Sequence, residues 1–399
     1  MSAASRVAIV GAARTAVTGL GGALSALPAP ELGAIAAREA LRRAGVPGAE
    51  VDEFIGGNVL GAGLGQAPAR QAALAAGAGE RTVCTTLNKM CASGMKAVSL
   101  GAQSLALQAD TTKVVVAGGF ESMSNAPYLA PAARFGHKMG HGKLMDAMIV
   151  DGLWDAYGGG HMGECAELTA ERFRLSKAAQ DAYAVRSYRR SVAAAEGGLL
   201  AREIVPVEVR AGRGKTRTVD EDDEPGRFVG EEAVEGARPA FKRDGGTISA
   251  ANASTISDGA AFMVLMTEEE AERRGVRPMA FLRSSADAEQ APVDFTTAPS
   301  LAVPIALRRA GLAAADVGVW EINEAFACVA LANQSILGIP DDRLNVHGGA
   351  ISIGHPIGAS GARIVMSLMT AMEATGERFG AAAICNGGGG ASAVVLERA

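Results

Sequence analysis

Two stretches of the chain, ALRRAGVPGAEVDEFIGGNV (residues 40–59) and ALRRAGLAAADVGVWEINEA (residues 306–325), repeat one pattern. Each pattern is typical of an amphipathic helix that stops at a glycine and is followed by a short turn and a strand. A helix and a strand in the same order in both halves of the chain indicate two similar α/β units.

Two further pairs of segments recur at nearly the same separation. MCASGMKAV (90–98) matches IGASGARIV (357–365), and KVVVAGGFES (113–122) matches AAAICNGGGG (381–390). Ala40 thus aligns with Ala306, Gly94 with Gly361 and Ala117 with Cys385, so the separation changes by only one position from each pair to the next. Three pairs in one order predict a duplicated α/β chain. Coincidence among strings rich in Ala and Gly is the alternative interpretation.

A long segment of the first half has no counterpart in the second. It contains HKMGHGK, a helical stretch from Ser176 to about Gly197 and the acidic run DEDDE. After it, ANASTISDGAAFMVLM (251–266) has the pattern of a return to the first core that ends in a strand. We therefore predict three parts: an N-terminal half at 1–124 plus 256–275, an inserted loop domain at 125–255, and a C-terminal half at 276–399.

Composition and charge restrict the class of partner. The 399 residues carry a net charge of −5, which argues against nucleic acid or an anionic membrane as a partner. No segment contains about 18 uninterrupted apolar residues, and the N-terminal apolar run is too short for a signal sequence, so we expect a cytoplasmic protein. The five cysteines are widely spaced without a CxxC pair, which argues against a disulfide framework and a structural zinc site.

Two cysteines are candidates for catalysis. Cys91 precedes a turn that opens a helix, where the helix dipole favours a thiolate nucleophile. A buried structural cysteine is the alternative, but Gly358 occupies the matching position in the second copy, so packing alone does not demand a sulfur. Cys385 ends a strand and leads into CNGGGG, whose backbone N–H groups are suited to an oxyanion. A simple glycine-rich turn is the alternative there.

Two polar side chains accompany these cysteines. His355 lies just before the repeated A-S-G turn and is a candidate base or oxyanion donor, although a single histidine is more often structural. Asn323, in NEAF, follows a predicted strand and offers an amide. His137 and His141 are four residues apart, but a glycine and no glutamate lie between them, so we interpret this stretch as a basic surface loop.

The segments NKMCASG, NEAF, GHPIGASG and CNGGGG, in that order, resemble the four signature blocks of the thiolase family. GAARTAV, HMGECAE and TISAANASTISDGAA resemble it as well, so the likeness covers essentially the whole chain. It is closest to the short-chain acetoacetyl-CoA thiolases. The resemblance implies an α/β thiolase fold, in which two duplicated α/β halves form a five-layered α-β-α-β-α core with an inserted loop domain that helps to bind coenzyme A. It also implies a homotetramer or a dimer.

The activity implied by the resemblance is an acyl transfer. Two acetyl-CoA molecules condense reversibly to acetoacetyl-CoA and coenzyme A through an acyl-cysteine, without a prosthetic group. At the matching positions, Cys91 is the nucleophile and Cys385 is the acid and base for the α-proton. His355 activates Cys91 and helps to bind the thioester oxygen, while Asn323 holds a water in the same oxyanion hole. The backbone N–H groups of Cys91 and Gly387 form a second hole.

The resemblance also assigns the binding site for coenzyme A and leaves two properties open. The matching contact positions are Leu153, His161, Met162, Arg227, Ser254, Ala325 and Phe326. Many family members have Met-Gly-x-Gly-Pro where this chain has Phe295-Thr-Thr-Ala-Pro299, so the preferred acyl chain is open. Pro225 stands where one branch of the family has a potassium-binding tyrosine, and only backbone carbonyls such as that of Ala250 remain, so potassium is open as well.

Other functions compete with this interpretation. A 3-ketoacyl-CoA thiolase of broader chain length, acting in fatty-acid β-oxidation, belongs to the same class. A condensing enzyme that acts on carrier-bound acyl groups would not use Cys385 in this way. A non-catalytic acyl-CoA carrier on the same scaffold need not keep both thiols together with His355 and Asn323. The presence of all four side chains favours the enzyme.

Overall fold

The computed structural model describes residues 6–108, 110–210 and 214–399. Residues 1–5 and Ala109, which belong to the predicted N-terminal half, and residues 211–213 of the predicted insert lie outside the described residues. No helix in the described ranges is long and apolar enough to cross a membrane.

Helices and strands alternate along most of the chain. The strands are β1 (Val7–Arg14), β2 (Thr18–Gly19), β3 (Glu53–Gly57), β4 (Val83–Leu87), β5 (Val115–Ser122), β6 (Tyr128–Leu129), β7 (Met145–Asp146), β8 (Trp154–Asp155), β9 (Gly160–His161), β10 (Val207–Arg210), β11 (Thr216–Val219), β12 (Ser257–Thr267), β13 (Ala280–Glu289), β14 (Val319–Ile322), β15 (Phe379–Asn386) and β16 (Gly390–Arg398). The helices are α1 (Ala29–Ala44), α2 (Pro68–Ala76), α3 (Ser93–Leu107), α4 (Met162–Arg172), α5 (Lys177–Glu196), α6 (Glu231–Glu235), α7 (Glu268–Arg274), α8 (Pro299–Ala310), α9 (Ala327–Leu337), α10 (Ala350–Ile353) and α11 (Ile357–Thr375).

The large sheet shows the duplication directly. Its strand order is β14-β15-β16-β13-β1-β12-β5-β3-β4, with β2 paired to β12. The order β1-β12-β5-β3 of the first half thus recurs as β13-β16-β15-β14 in the second. In both halves one neighbouring pair is parallel, β3 with β5 and β14 with β15, and the next pair is antiparallel. A short antiparallel ladder between β1 and β13, from Val7–Leu282 to Ile9–Ala280, joins the halves.

Three buried apolar clusters define the layers. Side chains of α1 and α2 pack on the outer face of the first half, and side chains of α8 and α9 pack on that of the second. The helices α3 and α11 pack against each other between the two halves. The resulting order of layers is α-β-α-β-α, so the fold class predicted from the duplicated segments and the family resemblance is confirmed.

The contact between the two central helices depends on glycine. A Cβ atom added at Gly94 would lie 2.8 Å from the backbone nitrogen of Ala362. A Cβ added at Gly361 would lie 2.5 Å from the backbone nitrogen of Met95. Because these distances are too short for a carbon atom, only glycine allows α3 and α11 to approach this closely. The repeated A-S-G segments therefore meet at the centre of the molecule.

The segment between β5 and β12 contains β6 to β11 and α4 to α6. The helix α5 begins after Ser176, whose Oγ accepts a hydrogen bond from the backbone nitrogen of Ala179 at 3.1 Å, close to where the sequence predicts its start. It packs on α9 and α10 of the second half. The strand β12 then returns the chain to the first half between β1 and β5, as the pattern of residues 251–266 predicts.

Candidate active site

Four element ends bring the candidate catalytic side chains together. Asn323 follows β14, and Cys385 is the penultimate residue of β15, so both lie at the carboxyl edge of a parallel pair. Cys91 lies just before α3 and His355 just before α11. Since these helices pack against each other through their N-terminal glycines, the two loops that precede them are neighbours. Ligand sites form at such edges of open α/β sheets.

A pocket of about 500 Å³ lies above these element ends. Cys91, His355 and Gly387 line it, together with all of the positions that match coenzyme A contacts: Leu153, His161, Met162, Arg227, Ser254, Ala325 and Phe326. Cys385 and Asn323 lie behind the wall of the pocket, and each is 1% exposed. Cys385 packs in an apolar cluster with Phe295 and Phe326, which themselves line the pocket. The structure thus places the predicted residues around one cavity.

The environment of Cys91 differs from the expectation. Burial raises the pKa of its thiol to about 11, although the backbone N–H of Gly387 and that of Cys91 itself bond to the sulfur and lower the pKa. In the free site the neutral thiol is therefore favoured, contrary to the expectation of a thiolate at the helix terminus. Met90 has φ 48°, a left-handed conformation that is rare for a residue with a side chain and shapes the turn carrying the thiol.

His355 is held in a form that suits a base. Its Nδ1 lies 2.6 Å from Oγ of Ser360, which in turn donates to the backbone oxygen of Pro356 at 2.9 Å. With this arrangement Nδ1 carries the proton and Nε2 has a free lone pair, and Nε2 has no hydrogen-bond partner among the described residues. Burial, followed by the positive charge of Arg363, lowers the pKa of His355 to about 3. The ring is therefore neutral at ordinary pH.

The side-chain amide of Asn323 and the thiol of Cys385 are also available for the reaction. The backbone N–H of Asn323 donates to the oxygen of Ala383 at 3.0 Å, which fixes the main chain. Its side-chain Nδ2 is buried and has no partner in the part of the chain that the structure describes. Burial, and then the neighbouring Cys91, raises the pKa of Cys385 far above the usual range, so this thiol is neutral. Among the described residues, the site thus holds an unpaired amide N–H donor at Asn323 and a second neutral thiol that interacts with Cys91.

Glu121 is a buried acidic residue that the sequence analysis did not single out. Its carboxylate accepts hydrogen bonds from the backbone nitrogens of Val59 at 3.0 Å, Leu60 at 3.1 Å and Gly358 at 2.9 Å. Burial raises its pKa to about 7. These bonds connect the loop after β3 to the start of α11 and so hold the two halves together at the site. The segment FES (120–122) at the end of the third repeated pair was the available signal.

Phe241 was missed as well. Its ring stacks on His161 with 4.7 Å between ring centroids and meets the ring of Phe326 edge-on at 6.3 Å. The three rings form an aromatic wall of the pocket, suited to a slim chain such as pantetheine. Arg227 lies at the same pocket and pairs with Asp223 at 3.1 Å.

The structure supplies little for a metal ion. No group of three or more His, Cys, Asp or Glu side chains within residues 6–108, 110–210 and 214–399 could hold one. Pro225, at the position of the potassium-binding tyrosine, begins a short 3₁₀ turn and offers no side-chain oxygen.

Comparisons with known proteins match nearly the whole chain. Residues 7–269 match the family model described as Thiolase, N-terminal domain, and residues 276–398 match Thiolase, C-terminal domain. The chain is 53% identical to Acetyl-CoA acetyltransferase 2 of Arabidopsis thaliana, over 98% of this chain and 96% of that protein. It is 49% identical to Acetyl-CoA acetyltransferase of Schizosaccharomyces pombe, over 98% of both. The crystal structure of the Acat5 thiolase from Ascaris suum in complex with coenzyme A superposes with a TM-score of 0.91 and 42% identity, covering 99% of this chain and 100% of that chain.

Proposed function

Since the chain belongs to the thiolase family, we propose that it is an acetyl-CoA C-acetyltransferase that condenses two acetyl-CoA to acetoacetyl-CoA and coenzyme A, reversibly. One observation carries the proposal. The Cys91 thiol and Nε2 of His355 share one pocket, and the Cys385 thiol and Nδ2 of Asn323 lie behind its wall; within the described residues neither nitrogen has a hydrogen-bond partner. Two thiols and two sets of hydrogen-bond donors suit a reaction in which two successive steps, acylation and condensation, each place negative charge on a carbonyl oxygen.

The first step is acylation of Cys91. Nε2 of His355 takes the thiol proton as the sulfur attacks the carbonyl carbon of acetyl-CoA, so no free thiolate has to accumulate and the high pKa of the thiol is no obstacle. The backbone N–H groups of Cys91 and Gly387 stabilise the oxyanion. As the tetrahedral intermediate collapses, Cys385 gives its proton to the departing coenzyme A sulfur. Acetylated Cys91, protonated His355 and the Cys385 thiolate remain.

The second step is condensation. The Cys385 thiolate removes an α-proton from the second acetyl-CoA, and the resulting carbanion attacks the acetyl carbon on Cys91. The carbon–sulfur bond breaks, and the departing Cys91 sulfur takes back its proton from Nε2 of His355. Both thiols and the neutral ring are thereby restored, so protons and electron pairs balance over the cycle. Cleavage by coenzyme A follows the same steps in reverse.

The enolate oxygen needs its own donors during this second step. His355 supplies one, because its Nε2 still carries the proton taken from Cys91, while Nδ1 donates to Oγ of Ser360. Burial alone favours the neutral ring, but the negative charge that passes from Cys385 to the enolate stabilises the protonated form. Nδ2 of Asn323 supplies the other donor through a water.

The direct test is coenzyme A-dependent cleavage of acetoacetyl-CoA, with Cys91→Ala as the control. Rapid cleavage that the variant loses supports the proposal. If the wild-type protein does not cleave, its intact mass after incubation with acyl-CoA decides between the alternatives. An acyl adduct would mean another chain length or acyl partner, and the absence of an adduct would favour a non-catalytic carrier.

A second candidate is a 3-ketoacyl-CoA thiolase of broader chain length. Phe295 lines the pocket with 2% of its surface exposed and packs beside Cys385. An aromatic ring at this position leaves little space for a longer acyl chain, which favours the short-chain enzyme. Faster cleavage of longer 3-ketoacyl-CoA than of acetoacetyl-CoA would support the second candidate instead.

We further propose a homotetramer in which the segment 125–255 is a loop domain for coenzyme A and subunit contacts. Within this segment the exposed large apolar side chains are Tyr128, Phe135, Met139, Leu144, Met145, Ile149, Val150, Trp154, Tyr157, Leu168 and Val229. Such a density of exposed apolar groups is typical of an interface. Light scattering of the purified protein measures the assembly.

The free cysteines suit a reducing compartment, which supports a cytoplasmic location.

A further inference from the structure

An arginine lies behind the candidate active site without the partners that a buried arginine usually has. Arg363, on α11, is 1% exposed. Its Nη2 donates to Oδ1 of Asn323 at 3.5 Å. Its Nε and Nη1 are buried and have no hydrogen-bond partner among the described residues. A buried charge of this kind is costly, so its position calls for a physical reason.

A second fully buried arginine shows what a structural role looks like in this core. Arg14 is 0% exposed, and its guanidinium bonds to Glu203 at 2.6 Å and to both oxygens of Asp222 at 2.7 and 2.8 Å. These bonds hold β1 to the inserted segment. In the part of the chain that the structure describes, Arg363 has no such set of carboxylate bonds and instead contacts the side chain of Asn323.

The neighbouring Glu321 attracts the guanidinium of Arg363 electrostatically but does not fix its orientation. Glu321 is buried and lies two residues before Asn323, on β14. Burial raises the pKa of Glu321, and among the charged groups around it Arg363 opposes this increase most strongly. Oε1 of Glu321 is nevertheless without a hydrogen-bond partner in the described ranges. The guanidinium therefore keeps its N–H groups available for the amide of the site.

We propose that Arg363 is a positioning residue that holds Oδ1 of Asn323 and thereby directs Nδ2 toward the water that binds the reacting thioester oxygen. A carboxamide has an acceptor end and a donor end of nearly the same shape, and half a turn about the Cβ–Cγ bond exchanges them. A guanidinium has only donors, so it selects the oxygen. In the exchanged form Oδ1 would face that water, so an acceptor with partial negative charge would replace a donor near the developing oxyanion. The inference rests on the proposed function, because it assigns the amide to an oxyanion.

A double-mutant cycle of Arg363→Met and Asn323→Ala tests the proposal. We expect Arg363→Met to lower kcat for acetoacetyl-CoA cleavage by about 10- to 100-fold, less than the loss of a direct oxyanion donor. In the Asn323→Ala background, where no amide remains to be directed, the same change should lower kcat by less than about threefold. KM should change little in either case. Independent, multiplying effects would overturn the proposal.

Further measurements separate positioning from a loss of structure. Arg14→Lys is the matched control: it should lower the melting temperature and leave kcat nearly unchanged. Acetylation of Cys91 by acetyl-CoA, followed by intact mass, should slow less than α-proton exchange in Arg363→Met, because backbone N–H groups serve the acylation oxyanion. Equal slowing of both would count against the proposal.

The outcome stays decisive if Arg363→Met does not fold. Arg363→Gln offers an acceptor as well as donors, so it cannot select the oxygen of the amide, and the cycle with Asn323→Ala is then run with glutamine. A wild-type protein that does not cleave acetoacetyl-CoA would reject the proposed function and this inference with it. An active wild-type protein whose cycle is additive rejects the inference alone.

Discussion

Phe295 should set the length of the acyl chain. It lies in the 3₁₀ turn Pro292–Thr297, is buried, lines the pocket and packs with Cys385 and Phe326. Replacement by alanine removes the ring at the end of the pocket where the reacting groups lie. We expect Phe295→Ala to accept 3-ketohexanoyl-CoA far better, relative to acetoacetyl-CoA, than the wild-type protein does.

The expected size follows from the two methylene groups by which the substrates differ. Burying each methylene contributes about 0.8 kcal/mol, so two contribute about 1.6 kcal/mol, which corresponds to about 15-fold in the ratio of kcat/KM values. Relief of steric overlap with the ring adds to this value. Truncation of a buried phenylalanine also costs about 3–5 kcal/mol of unfolding free energy, so the variant must be assayed well below its melting temperature.

The assay measures coenzyme A-dependent cleavage of both substrates by Phe295→Ala and by a matched control. Phe54 is buried and packs 4.9 Å from the ring of Phe262 in the outer core of the first half, away from the pocket lining. Phe54→Ala should lose comparable stability and keep the wild-type ratio of kcat/KM values. The reasoning is refuted if the ratio is unchanged in Phe295→Ala or shifts equally in the control.

Three further predictions concern the reacting groups. Cys385→Ala should still be acetylated at Cys91 by acetyl-CoA, as seen by intact mass, but should lose exchange of the α-protons with deuterated solvent; retained exchange would contradict its role. Because burial raises the pKa of Cys91 to about 11, its alkylation by iodoacetamide should accelerate about tenfold per pH unit between about pH 7 and 9, whereas a plateau at neutral pH would reveal a thiolate. Ser360→Ala removes the hydroxyl that holds Nδ1 of His355 and should lower kcat by about tenfold, with a KM near that of the wild type in steady-state assays.

The sequence was sufficient for the architecture because the duplication is visible as a nearly constant separation between repeated segments. The repeated pairs correspond to elements that occupy matching places, β3 with β14, α3 with α11 and β5 with β15. Each candidate side chain lies at the end of one of these elements. The ends of elements meet wherever the elements pack, so element order alone indicated which residues would be neighbours.

The electrostatics of the site could not be predicted in this way. Position before a helix suggested a thiolate at Cys91, but its protonation depends on how much water reaches the sulfur, and side chains distant in sequence decide that. In the sequence Arg363 is simply a basic residue of the second repeated segment, and only the packing of α11 shows that its side chain is buried. Phe241 belongs to a segment without a repeat partner, so no pattern marked it.

The serines of the two repeated A-S-G turns make similar hydrogen bonds, but each orients a different catalytic residue. Oγ of Ser93 accepts from the backbone nitrogen of Lys89 at 2.8 Å and donates to the oxygen of Met90 at 2.6 Å, which fixes the turn that carries Cys91. Ser360, at the matching position, fixes His355. One local device thus orients the nucleophile in one half and its base in the other.

Only the first copy has space for the nucleophile. A Cβ atom added at Gly358 would lie 2.7 Å from Oε2 of Glu121, the same oxygen that accepts the backbone N–H of Gly358 at 2.9 Å. A cysteine there would push away the carboxylate that ties α11 to the loop after β3. Glu121 comes from the first half and has a glycine, Gly389, at the corresponding place in the second, so no carboxylate crowds Cys91 from that position. A Cβ atom at Gly358 would also lie 3.0 Å from Cα of Asn58 and 3.1 Å from the backbone oxygen of Phe120, so the carboxylate and the backbone together exclude a cysteine from the second copy.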